Sequence, residues 1–545
     1  MNSIGKYNNN NNYKLILTAA QAKALDEYTI ANGTSSETLI KRAARAMAEC
    51  IDEIYFRKGR VLCFVGPGNN GADAFELGKI LESTGSRVRY CKVSKEGLEY
   101  SGDAEINIKN AGLTIDGIFG IGLNRAPEGC FKKAIEQVNE AYAYGSKVVA
   151  VDVPSGVNST SGETYENVVH ADLTVTFGFM KYAHVLYPGR KFCGKVLVKD
   201  IGFDLTFFEN EMNSNSELPL NCAKYYDMDM ALTHLPERFP ESNKGSYCNA
   251  MLICGSEKIP GAAVLASNAA YRLGAGYVTL CSDENVRNIA VGVVPELLLC
   301  PKDELKERLE NNKYHTILFG PGAGKDNESK AILEALLKQN PSSEEPEKSY
   351  KTVTIIDADG INMLAEMMDE HFAKKDKKYD GALQAEIITK RIDYLNDILP
   401  DNTVLTPHRK ELSRLLDIPM TKLSGGNKWV ADIICETSKA IIVLKEASTI
   451  VCTKDRMFVN TTGNNGLSKA GCGDVLAGML AALCGKSGNK AELFERVCLS
   501  VWLHGAAGDR LKELYSEYGV LPSEIAKNAA EIIAEGQNIR SAENK

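Results

Sequence analysis

The sequence predicts two different α/β domains, each built on a mostly parallel sheet that is flanked by helices. Three observations predict this class. The chain has 545 residues, more than one ordinary hydrophobic core accommodates. Short apolar runs of strand length alternate with amphipathic helical patterns in both halves. Between the halves, residues 205–240 lose this alternation and have the polar, proline-containing composition of a linker.

The first half opens with two helical patterns, at 17–32 and 35–56, in which apolar residues recur at helical spacing. The run Arg60–Val65 (RVLCFV) predicts a strand, and a helix follows from about Ala72. Further strands are predicted at 87–92, 113–119, 147–153 and 173–177. Parallel sheets bind ligands at the carboxyl ends of their strands, so we expect the site of this half in the loops that follow them.

The second half repeats the alternation without repeating any motif of the first. Its strands are predicted at 250–254, 277–281, 316–319, 353–356, 403–405 and 440–444. Two charge-rich segments, 340–351 and 370–380, predict solvated surface loops. We therefore expect a disordered tail at 1–13, a first domain at 14–215, a linker at 216–238 and a second domain at 239–540.

Composition and charge exclude several function classes. The formal net charge of −8 argues against a nucleic-acid binder, whose phosphate contacts need a basic face. No run of eighteen apolar residues exists, so no membrane partner is expected. The N-terminus lacks the apolar core of a signal peptide, and the fifteen cysteines include no Cys-x-x-Cys pair. We expect reduced thiols and a cytoplasmic protein that binds small molecules; the sequence leaves homo-oligomerisation open.

The most informative motif is A-G-C-G-D-V-L-A-G at 470–478. Gly471 and Gly473 allow a tight turn and close approach of a ligand to the backbone. The apolar helix that follows presents free N–H groups and its positive dipole end to an anion. Asp474 can take a proton from a hydroxyl while a phosphate rests on these amides, which is a layout for phosphoryl transfer. The alternative is a glycine-rich turn that Asp474 caps.

Oxygen-bearing side chains also gather at the predicted strand ends of the first half. Asn69 and Asn70 follow the first strand in G-P-G-N-N-G, which lacks the G-x-G-x-x-G spacing of a dinucleotide-binding turn. Asp116 ends one strand, and Asp152 with Ser155 follows another. Amide, carboxylate and hydroxyl oxygens are ligands that a hard cation accepts. The alternative is that each aspartate caps its own turn.

Four segments of the first half resemble the NAD(P)H-hydrate epimerase family: L-T-A-A-Q-A-K-A-L-D (17–26), G-P-G-N-N-G-A-D (66–73), D-G-I-F-G-I-G-L (116–123) and V-D-V-P-S-G-V (151–157). The resemblance implies a Rossmann-like fold and interconversion of R and S NAD(P)H hydrate. It implies Asp152 as the acid/base group and a potassium ion on Asn70, Asp116 and Ser155. The hydrate would contact Asn69, Asn70, Gly71, Ala72, Asp73, Gly120, Ile121, Gly122, Leu123, Asn124, Arg125, Ala126 and Asp152.

The chain departs from the family pattern at Ala72 and Ala74, where glycine is usual. Because the Ala72 methyl group would crowd an approaching ligand, this departure motivates an alternative for the chain, a nucleotide-binding regulatory protein whose epimerase half is inactive. The presence of Asp116 and Asp152 argues against it.

Loops of the second half resemble the ADP- or ATP-dependent NAD(P)H-hydrate dehydratase family over about 235–535. The segments are K-G-S-Y (244–247), G-P-G-A-G (320–324), D-A-D-G-I-N (357–362), T-P-H-R-K-E (406–411) and the G-C-G-D motif. Cys472 replaces a usual threonine or serine, and Arg409–Lys410 a common Pro-Gly. The resemblance implies a ribokinase-like fold, with Asp474 as catalytic base. The hydrate would contact Ala263, Gly324, His408 and Asp474, and the nucleotide Lys445, Glu446, Ala447, Ser448, Thr449 and Gly473.

Together the halves resemble a bifunctional NAD(P)H-hydrate repair enzyme. The first half would supply the S form, and the second would phosphorylate its hydroxyl and expel phosphate to restore NAD(P)H, releasing AMP when ADP is the donor. Mg²⁺ is expected with the nucleotide because it neutralises developing charge. We expect ADP rather than ATP, because fused chains of this type resemble bacterial ones. The alternative from the same fold is a small-molecule kinase, which would form a stable phosphorylated product.

Overall fold

A computed structural model describes residues 14–54, 59–208, 222–311, 313–338, 351–374 and 383–543. The chain divides into two compact units between Lys224 and Tyr225, within the predicted linker 216–238. The predicted tail at 1–13 lies outside the described residues. Residues 340–350 and 375–380 of the predicted surface loops also lie outside them.

The first unit is built around a seven-stranded sheet in the order β4-β3-β2-β5-β6-β7-β9. All neighbours are parallel except β4, which is antiparallel to β3. A separate parallel pair joins β1 to β8. The strands are β1 (Lys14–Leu17), β2 (Arg60–Val65), β3 (Arg87–Val93), β4 (Leu98–Gly102), β5 (Leu113–Gly117), β6 (Lys147–Val151), β7 (Leu173–Phe177), β8 (Met180–Lys181) and β9 (Lys195–Lys199).

Helices cover both faces of this sheet, as the alternating side chains of β2 show. Val61 and Cys63 face a core formed with α2 and α3, whereas Leu62 and Phe64 face the core against α4. Both faces are therefore buried, which explains the continuous apolar run of this strand. The helices are α1 (Ala19–Ala31), α2 (Ser36–Ile54), α3 (Asn69–Ser83), α4 (Gly129–Ala143) and the short α5 (Tyr182–Val185).

The second unit contains nine strands in the order β13-β12-β11-β14-β15-β16-β17-β18-β19. The strands from β13 to β17 are parallel, and β17, β18 and β19 are antiparallel. Strand β10 (Ala223–Tyr225) spans the boundary between the units. The others are β11 (Asn249–Ile253), β12 (Tyr277–Cys281), β13 (Leu298–Cys300), β14 (Thr316–Phe319), β15 (Val353–Ile356), β16 (Thr403–Leu405), β17 (Ile441–Leu444), β18 (Ile450–Thr453) and β19 (Arg456–Val459).

Helices of the second unit pack closely where small residues meet. A Cβ atom on Gly478 would lie 2.2 Å from the Ala266 carbonyl oxygen, so the helices that carry these two residues have backbone contact. The helices are α6 (Met228–Leu232), α7 (Pro260–Arg272), α8 (Glu284–Val293), α9 (Leu305–Asn311), α10 (Asn327–Lys338), α11 (Asp359–Lys374), α12 (Gln384–Ile398), α13 (Arg409–Leu416), α14 (Lys428–Thr437), α15 (Cys472–Leu483), α16 (Lys490–Gly519) and α17 (Pro522–Glu543). A non-helical Ser516 interrupts α16.

The predicted α/β class is confirmed in both units, and three local predictions are wrong. Helix α3 begins at Asn69, not near Ala72, so the two asparagines lie in its first turn. Residues 222–238, expected to belong to a linker, contain β10 and α6. Residues 370–374, expected in a surface loop, form the end of α11. No helix within the described ranges has the length and hydropathy that a membrane crossing requires.

Candidate functional sites

The first unit has a cavity of about 580 Å³ at the carboxyl ends of β2, β5 and β6. Its wall is mostly apolar, with the side chains of Phe119 and Phe179 among its members. The predicted hydrate-binding residues in the wall are Asn69, Asn70, Asp73, Gly120, Ile121, Gly122, Leu123 and Asp152. Gly71, Ala72, Asn124, Arg125 and Ala126 are not among its lining residues. The structure thus places eight of the predicted contacts in one cavity wall, and the hydrate contacts themselves stay a prediction.

Glycines set the shape of the first turn of α3. A Cβ atom on Gly71 would lie 2.0 Å from the Gly66 carbonyl oxygen, and one on Gly120 would lie 2.8 Å from the Asn70 amide oxygen. Side chains at these positions would push the helix start away from the neighbouring loop. Ala74, by contrast, is fully buried in the core against α2. The two alanines of N-N-G-A-D-A therefore lie outside the cavity wall, and Ala72 does not obstruct it.

Asp152 follows β6 with a left-handed backbone (φ 62°), which is uncommon for a residue other than glycine. One of its carboxylate oxygens, Oδ1, accepts hydrogen bonds from Lys181 Nζ at 2.7 Å and Thr176 Oγ1 at 2.8 Å. The Lys181 ammonium also donates to Thr176 Oγ1 and to the Phe177 carbonyl oxygen. Asp152 is therefore held by a buried cation that the sequence did not reveal.

His184 holds the backbone of Asp152 in place. Its Nδ1 accepts a hydrogen bond from the Lys181 N–H at 2.9 Å, so the ring proton lies on Nε2, which donates to the Asp152 carbonyl oxygen at 2.8 Å. Burial, followed by the nearby Lys181 charge, lowers the pKa of His184 to about 4, so the ring is neutral at physiological pH. This neutral ring fixes the unusual backbone of Asp152 without adding a charge to the cavity.

The electrostatic balance at Asp152 favours the carboxylate. Burial alone raises the pKa of Asp152, but the Lys181 charge and its hydrogen bond outweigh burial, so the pKa of Asp152 lies below its ordinary value of 3.8. The ion pair is almost fully buried, with 4% of the Lys181 side chain and 12% of the Asp152 side chain exposed. Asp152 therefore faces the cavity as a carboxylate, the form that a general base needs.

Of the three predicted potassium ligands, Asn70 lies in the cavity wall, whereas Asp116 and Ser155 are fully buried and are not among the lining residues. Ser155 donates from its Oγ to Asp116 Oδ1 at 2.6 Å and from its N–H to Asp116 Oδ2 at 2.8 Å. The Asn70 side chain lies beside Gly120, and its Nδ2 is buried without a hydrogen-bond partner. Burial raises the pKa of Asp116 to about 6, and no basic side chain contributes to that shift. A monovalent cation would stabilise the carboxylate of Asp116, so this oxygen set fits potassium.

The second unit places Asp474 in the first turn of α15. Gly471 occupies the N-cap position with a left-handed backbone (φ 97°), so Asp474 lies within the helix and is not its cap. At the start of this twelve-residue helix the Cys472 N–H donates to the Lys469 carbonyl oxygen at 3.3 Å, and the N–H groups of Gly473 and Asp474 are available to an anion. Burial, and then repulsion from Asp357, raises the pKa of Asp474 to about 6. Asp474 is therefore a base of intermediate strength beside an anion site.

An ion pair lies next to this helix start. Lys445 Nζ donates to Asp357 Oδ1 at 2.7 Å, and Thr406 Oγ1 donates to the same oxygen, also at 2.7 Å. A Cβ atom on Gly473 would lie 3.6 Å from Lys445 Nζ and 3.9 Å from Asp357 Oδ2. The lysine and aspartate therefore lie against the G-C-G-D backbone. The sequence predicted Lys445 near the phosphates but did not predict its pairing with Asp357.

The predicted nucleotide segment, Lys445 to Thr449, forms the turn between the antiparallel strands β17 and β18. Glu446 pairs with Arg409, one of the two residues at the common Pro-Gly positions. Ala447 is exposed, Ser448 is buried, and Thr449 Oγ1 donates to the Glu446 carbonyl oxygen at 3.3 Å. The replacement of Pro-Gly by Arg409–Lys410 thus links the His408 loop to this turn.

The remaining predicted hydrate contacts differ in exposure. His408 caps α13: its Nδ1 accepts from the N–H groups of Lys410 and Glu411, while about half of its side chain is exposed. Gly324 donates its N–H to Asp359 Oδ2 at 3.0 Å. Ala263 is fully buried, and a Cβ atom on Gly255 would lie 2.8 Å from its methyl group. The Ala263 side chain is therefore a packing residue, and its contact with the hydrate stays a prediction.

His504 is another residue of this site that the sequence did not predict. Its Nε2 lies 3.0 Å from the Cys472 carbonyl oxygen, which ties α16 to the start of α15. Burial lowers the pKa of His504 to about 4, so a neutral ring makes this contact. The Cys472 side chain itself is 5% exposed. The unusual cysteine therefore packs inward, and the backbone of the motif stays in place.

Family models match both units. The model of NAD(P)H-hydrate dehydratase matches residues 250–379 and 387–531, about half of the chain. The chain belongs to the NAD(P)H-hydrate dehydratase family. The model of the YjeF-related protein N-terminus matches residues 36–111 and 93–183, which include most residues of the cavity wall but not those at 17–30 and 201–203. The family expected from the sequence is confirmed.

Relatives that match this dehydratase-family chain over nearly its whole length are named bifunctional enzymes. The bifunctional NAD(P)H-hydrate repair enzyme Nnr of Thermofilum pendens is 28% identical and covers 93% of each chain. The protein of the same name from Escherichia coli is 25% identical over 92% of this chain and 90% of its own. Among solved structures, the ADP/ATP-dependent NAD(P)H-hydrate dehydratase of Bacillus subtilis, co-crystallised with ATP/Mg²⁺, is 25% identical, with a TM-score of 0.44 over 57% of this chain and 98% of that chain.

Proposed function

We propose that this chain repairs hydrated nicotinamide cofactors with two activities. The first unit interconverts R and S NAD(P)H hydrate, and the second dehydrates the S form to NAD(P)H with ADP as phosphate donor, releasing AMP and phosphate. The observation that carries the proposal is the site around Asp474, in a chain whose two units match the two family models. There a half-buried carboxyl lies in the first turn of a glycine-started helix, beside the Lys445–Asp357 pair.

The dehydration follows from the chemistry of this site. The hydroxyl on C6 of the hydrate attacks the terminal phosphorus of ADP while Asp474 takes its proton, and AMP leaves. The N–H groups of Gly471 and Gly473, on either side of Cys472, stabilise the charge on the transferring phosphoryl group. The C6–O bond then breaks with departure of phosphate as N1 supplies an electron pair, and loss of a C5 proton completes NAD(P)H. Lys445 lies close enough to the helix start to offset phosphate charge.

The donor set of the second unit fits Mg²⁺ carried by a nucleotide. Within the described ranges, no three His, Cys, Asp or Glu side chains form a metal site. Asp357 and Asp359 are close enough to Asp474 to raise its pKa. Mg²⁺ usually keeps several waters and takes one or two carboxylates together with phosphates. Asp359 is the carboxylate that would hold it, which leaves Asp474 free as the base, and when bound Mg²⁺ would neutralise charge on the phosphates.

Asp152 is the group that moves the proton in the first unit. Its carboxylate faces a mostly apolar cavity that is large enough for a nicotinamide ring and its ribose. Asn70, Asp116 and Ser155 would hold potassium behind the cavity wall through their side-chain oxygens, where the ion would balance the Asp116 charge. The support for potassium is the buried Asp116 carboxyl, whose pKa no cationic side chain lowers.

The first test measures restored absorbance at 340 nm from S-form NADH hydrate with Mg²⁺ and either ADP or ATP. The proposal predicts recovery with ADP, release of one AMP per NADH, and faster recovery with ADP than with ATP. Recovery with ATP alone would contradict the choice of donor. Consumption of nucleotide on other hydroxyl compounds, with a stable phosphorylated product and no NADH, would show a small-molecule kinase instead. Nucleotide binding without either reaction would show a regulatory protein.

Potassium is tested by thermal unfolding at one ionic strength in KCl or in choline chloride. A ligand that binds only the folded state raises the unfolding temperature with its concentration. We expect K⁺ to stabilise the wild type and to have no such effect on Asp116→Asn. Equal stability of the wild type in both salts would contradict the potassium site.

A further inference from the structure

Four carboxyl groups line the cavity of the first unit, and two of them have a cation beside them: Glu27 pairs with Lys23 at 3.5 Å, and Asp152 pairs with Lys181. Asp152 is bonded to Lys181, as described above. The carboxyl groups of Asp26, on α1, and Asp73, on α3, have no hydrogen-bond or ion-pair partner among the described residues. Asp26 ends the L-T-A-A-Q-A-K-A-L-D segment, to which the proposed function gives no role. The cavity therefore holds two unpaired carboxyl groups.

These groups differ in protonation from Asp152. Burial, followed by repulsion from Asp152 and Asp26, raises the pKa of Asp73 well above its ordinary value. Burial and the neighbouring Glu27 also raise the pKa of Asp26. The charged or titratable residues of the cavity wall are Lys23, Asp26, Glu27, Asp73, Asp152 and Lys181, with His184 behind Asp152. Lys181 is bonded to Asp152, so the pKa of Asp73 lies above that of Asp152, and between the two pKa values Asp152 is ionised while Asp73 keeps its proton.

On the basis of the proposed epimerase activity, we propose that Asp73 is a second catalytic residue, the proton donor that acts together with the base Asp152. Two carboxyl groups of opposite protonation in one cavity are the pattern of an acid/base pair. Asp73 takes this role rather than Asp26 because it lies close to Asn69 and Asn70, on the helix whose first turn enters the cavity. Asp26 supplies a neighbouring negative charge that helps to keep Asp73 protonated.

The reaction balances with water as its one co-reactant. Asp73 gives its proton to the C6 hydroxyl, the C6–O bond breaks as water leaves, and the N1 lone pair forms an N1=C6 double bond. Water then adds to the opposite face of C6, the π electrons return to N1, and Asp152 takes the proton that the added water loses. Proton exchange through cavity water restores Asp73 and Asp152. The result is inversion at C6 without oxidation or reduction.

The test is Asp73→Asn in the full chain, with R-to-S conversion followed by NMR in the absence of nucleotide. The variant keeps the shape and polarity of the side chain but cannot give up a proton. We expect kcat to fall by about 10²-fold or more, which is the usual rate loss when a general acid is removed. KM should change by less than about threefold. The pH profile of kcat should lose its alkaline limb, which reports the acid. Asp73→Glu retains a carboxyl group, so its kcat should be at least about tenfold higher than that of Asp73→Asn.

Three controls separate the possible outcomes. Glu76→Gln makes the same change on α3 outside the cavity wall and should keep the wild-type rate. Asp26→Asn should move the alkaline limb to lower pH, because it removes a charge that raises the pKa of Asp73. Dehydration of the S form by Asp73→Asn should equal that of the wild type, which shows that the chain is folded.

A raised KM with unchanged kcat would overturn the inference and leave Asp73 as a binding residue. An unchanged alkaline limb in Asp73→Asn would also overturn it. A wild type that interconverts the two forms no faster than the spontaneous reaction would overturn the proposed epimerase activity, and this inference with it. An active wild type with an equally active Asp73→Asn would overturn the inference alone.

Discussion

Asp152 and Asp474 are both proposed bases, both lie in α/β units, and burial raises the pKa of each, yet their net shifts have opposite signs. The pKa of Asp152 lies below its ordinary value, whereas that of Asp474 is raised to about 6. The difference lies in the nearest lysine. Lys181 donates directly to Asp152, whereas Lys445 donates to Asp357. Asp474 therefore receives only part of the attraction of Lys445, together with repulsion from Asp357.

This difference shows that depth of burial does not set the charge of a buried carboxyl group by itself. A direct hydrogen bond to an ammonium reverses the sign of the shift, because it both attracts and solvates the charged form. The two units can therefore run different proton chemistry in one compartment. In the first unit, Asp152 is a carboxylate at all physiological pH values. In the second unit, Asp474 has a higher proton affinity, which favours proton transfer from a hydroxyl.

The largest expected effect comes from Asp474→Asn. Loss of the base should lower the rate of S-form dehydration by about 10²- to 10⁴-fold, since a positioned acid or base contributes that much. The measurement is the initial rate of absorbance recovery at 340 nm with saturating ADP. Epimerisation by the same preparation serves as the folding control. Dehydration within about tenfold of the wild type would mean that another group accepts the proton.

Lys181→Met should break the buried pair of the first unit. It leaves Asp152 without its cation. The free energy of unfolding near neutral pH should therefore fall by about 3 kcal/mol, the order of the loss when one partner of a buried ion pair is removed. Lys181 lowers the pKa of Asp152, so its removal raises that pKa and the acid limb of epimerisation moves to higher pH. In the wild type, the stabilisation from Asp152 is present above its unfolded pKa, near 3.8, and is lost as pH falls through the lower folded pKa.

Denaturant unfolding as a function of pH measures this effect. The gap in folding stability between the wild type and Lys181→Met should narrow as pH falls through the raised pKa of Asp152 in the variant, because protonation there removes the uncompensated buried charge while Asp152 of the wild type is still ionised. Lys79→Met is the matched control, because its ammonium pairs with Glu76 on the surface and is half exposed. Equal losses of folding stability in Lys181→Met and Lys79→Met would contradict the role of Lys181 as the cation that stabilises buried Asp152.

The two activities should also respond differently to acid. Dehydration requires ionised Asp474, so its rate should fall as pH decreases through about 6, the pKa of that group. Epimerisation requires ionised Asp152, whose pKa lies below 3.8, so its acid limb should lie at lower pH. Profiles of kcat/KM against pH for both reactions, measured on one preparation, show which activity falls at the higher pH. Coincident limbs would remove the distinction between the two carboxyl groups.

A smaller effect is expected from Ser155→Ala. This change removes the hydrogen bond to the buried Asp116 carboxyl, for which about 1.5–3 kcal/mol of stability is the range for bonds to charged groups, and it also removes the bond that the hydroxyl accepts from the Phe119 N–H. Ser146→Ala is the matched control, since Ser146 shares a buried bond with the neutral Thr114 hydroxyl. The control should cost about 1 kcal/mol. The stability of both variants is measured from denaturant midpoints at neutral pH. If Ser155→Ala loses no more stability than Ser146→Ala, the result would contradict a charged Asp116.

The smallest effect is expected from Ala72→Gly, which restores the residue usual in the family pattern. Ala72 lies in α3 and outside the cavity wall, so epimerisation should change by less than about twofold. Stability should fall by about 1 kcal/mol or less, because glycine is the poorer helix former. A large gain in epimerisation would show that the Ala72 methyl group obstructs the ligand after all.

Much of the fold could be predicted because its central strands are buried on both faces. Tyr277–Cys281, Thr316–Phe319 and Val353–Ile356 have the predicted bounds, since continuous apolar runs bounded by turn residues define them. Peripheral strands were missed for the opposite reason. In β4 four of the five residues are exposed, and Leu298 in the three-residue β13 is exposed, so neither presents a buried apolar run.

The site was predictable where a residue's role depends on neighbours in sequence. Asp152, Asp116 and Asp474 follow strand or glycine signals within a few residues. Lys181 and Asp357 were missed because their partners are distant: Lys181 meets Asp152 across 29 residues, and Lys445 meets Asp357 across 88. The helix start at Asn69 was missed because Gly68 and two asparagines resemble a loop, while close packing of Gly71 on Gly66 decides otherwise.

The most direct test of a two-activity chain starts from pure R-form NADH hydrate, with ADP and Mg²⁺, and follows absorbance at 340 nm. The account predicts that the wild type restores NADH much faster than spontaneous epimerisation allows. Asp152→Asn should restore it only at the spontaneous rate while still converting the S form at the wild-type rate. A wild type that converts the S form but matches Asp152→Asn on the R form would contradict the account, because the first unit would then lack its proposed activity.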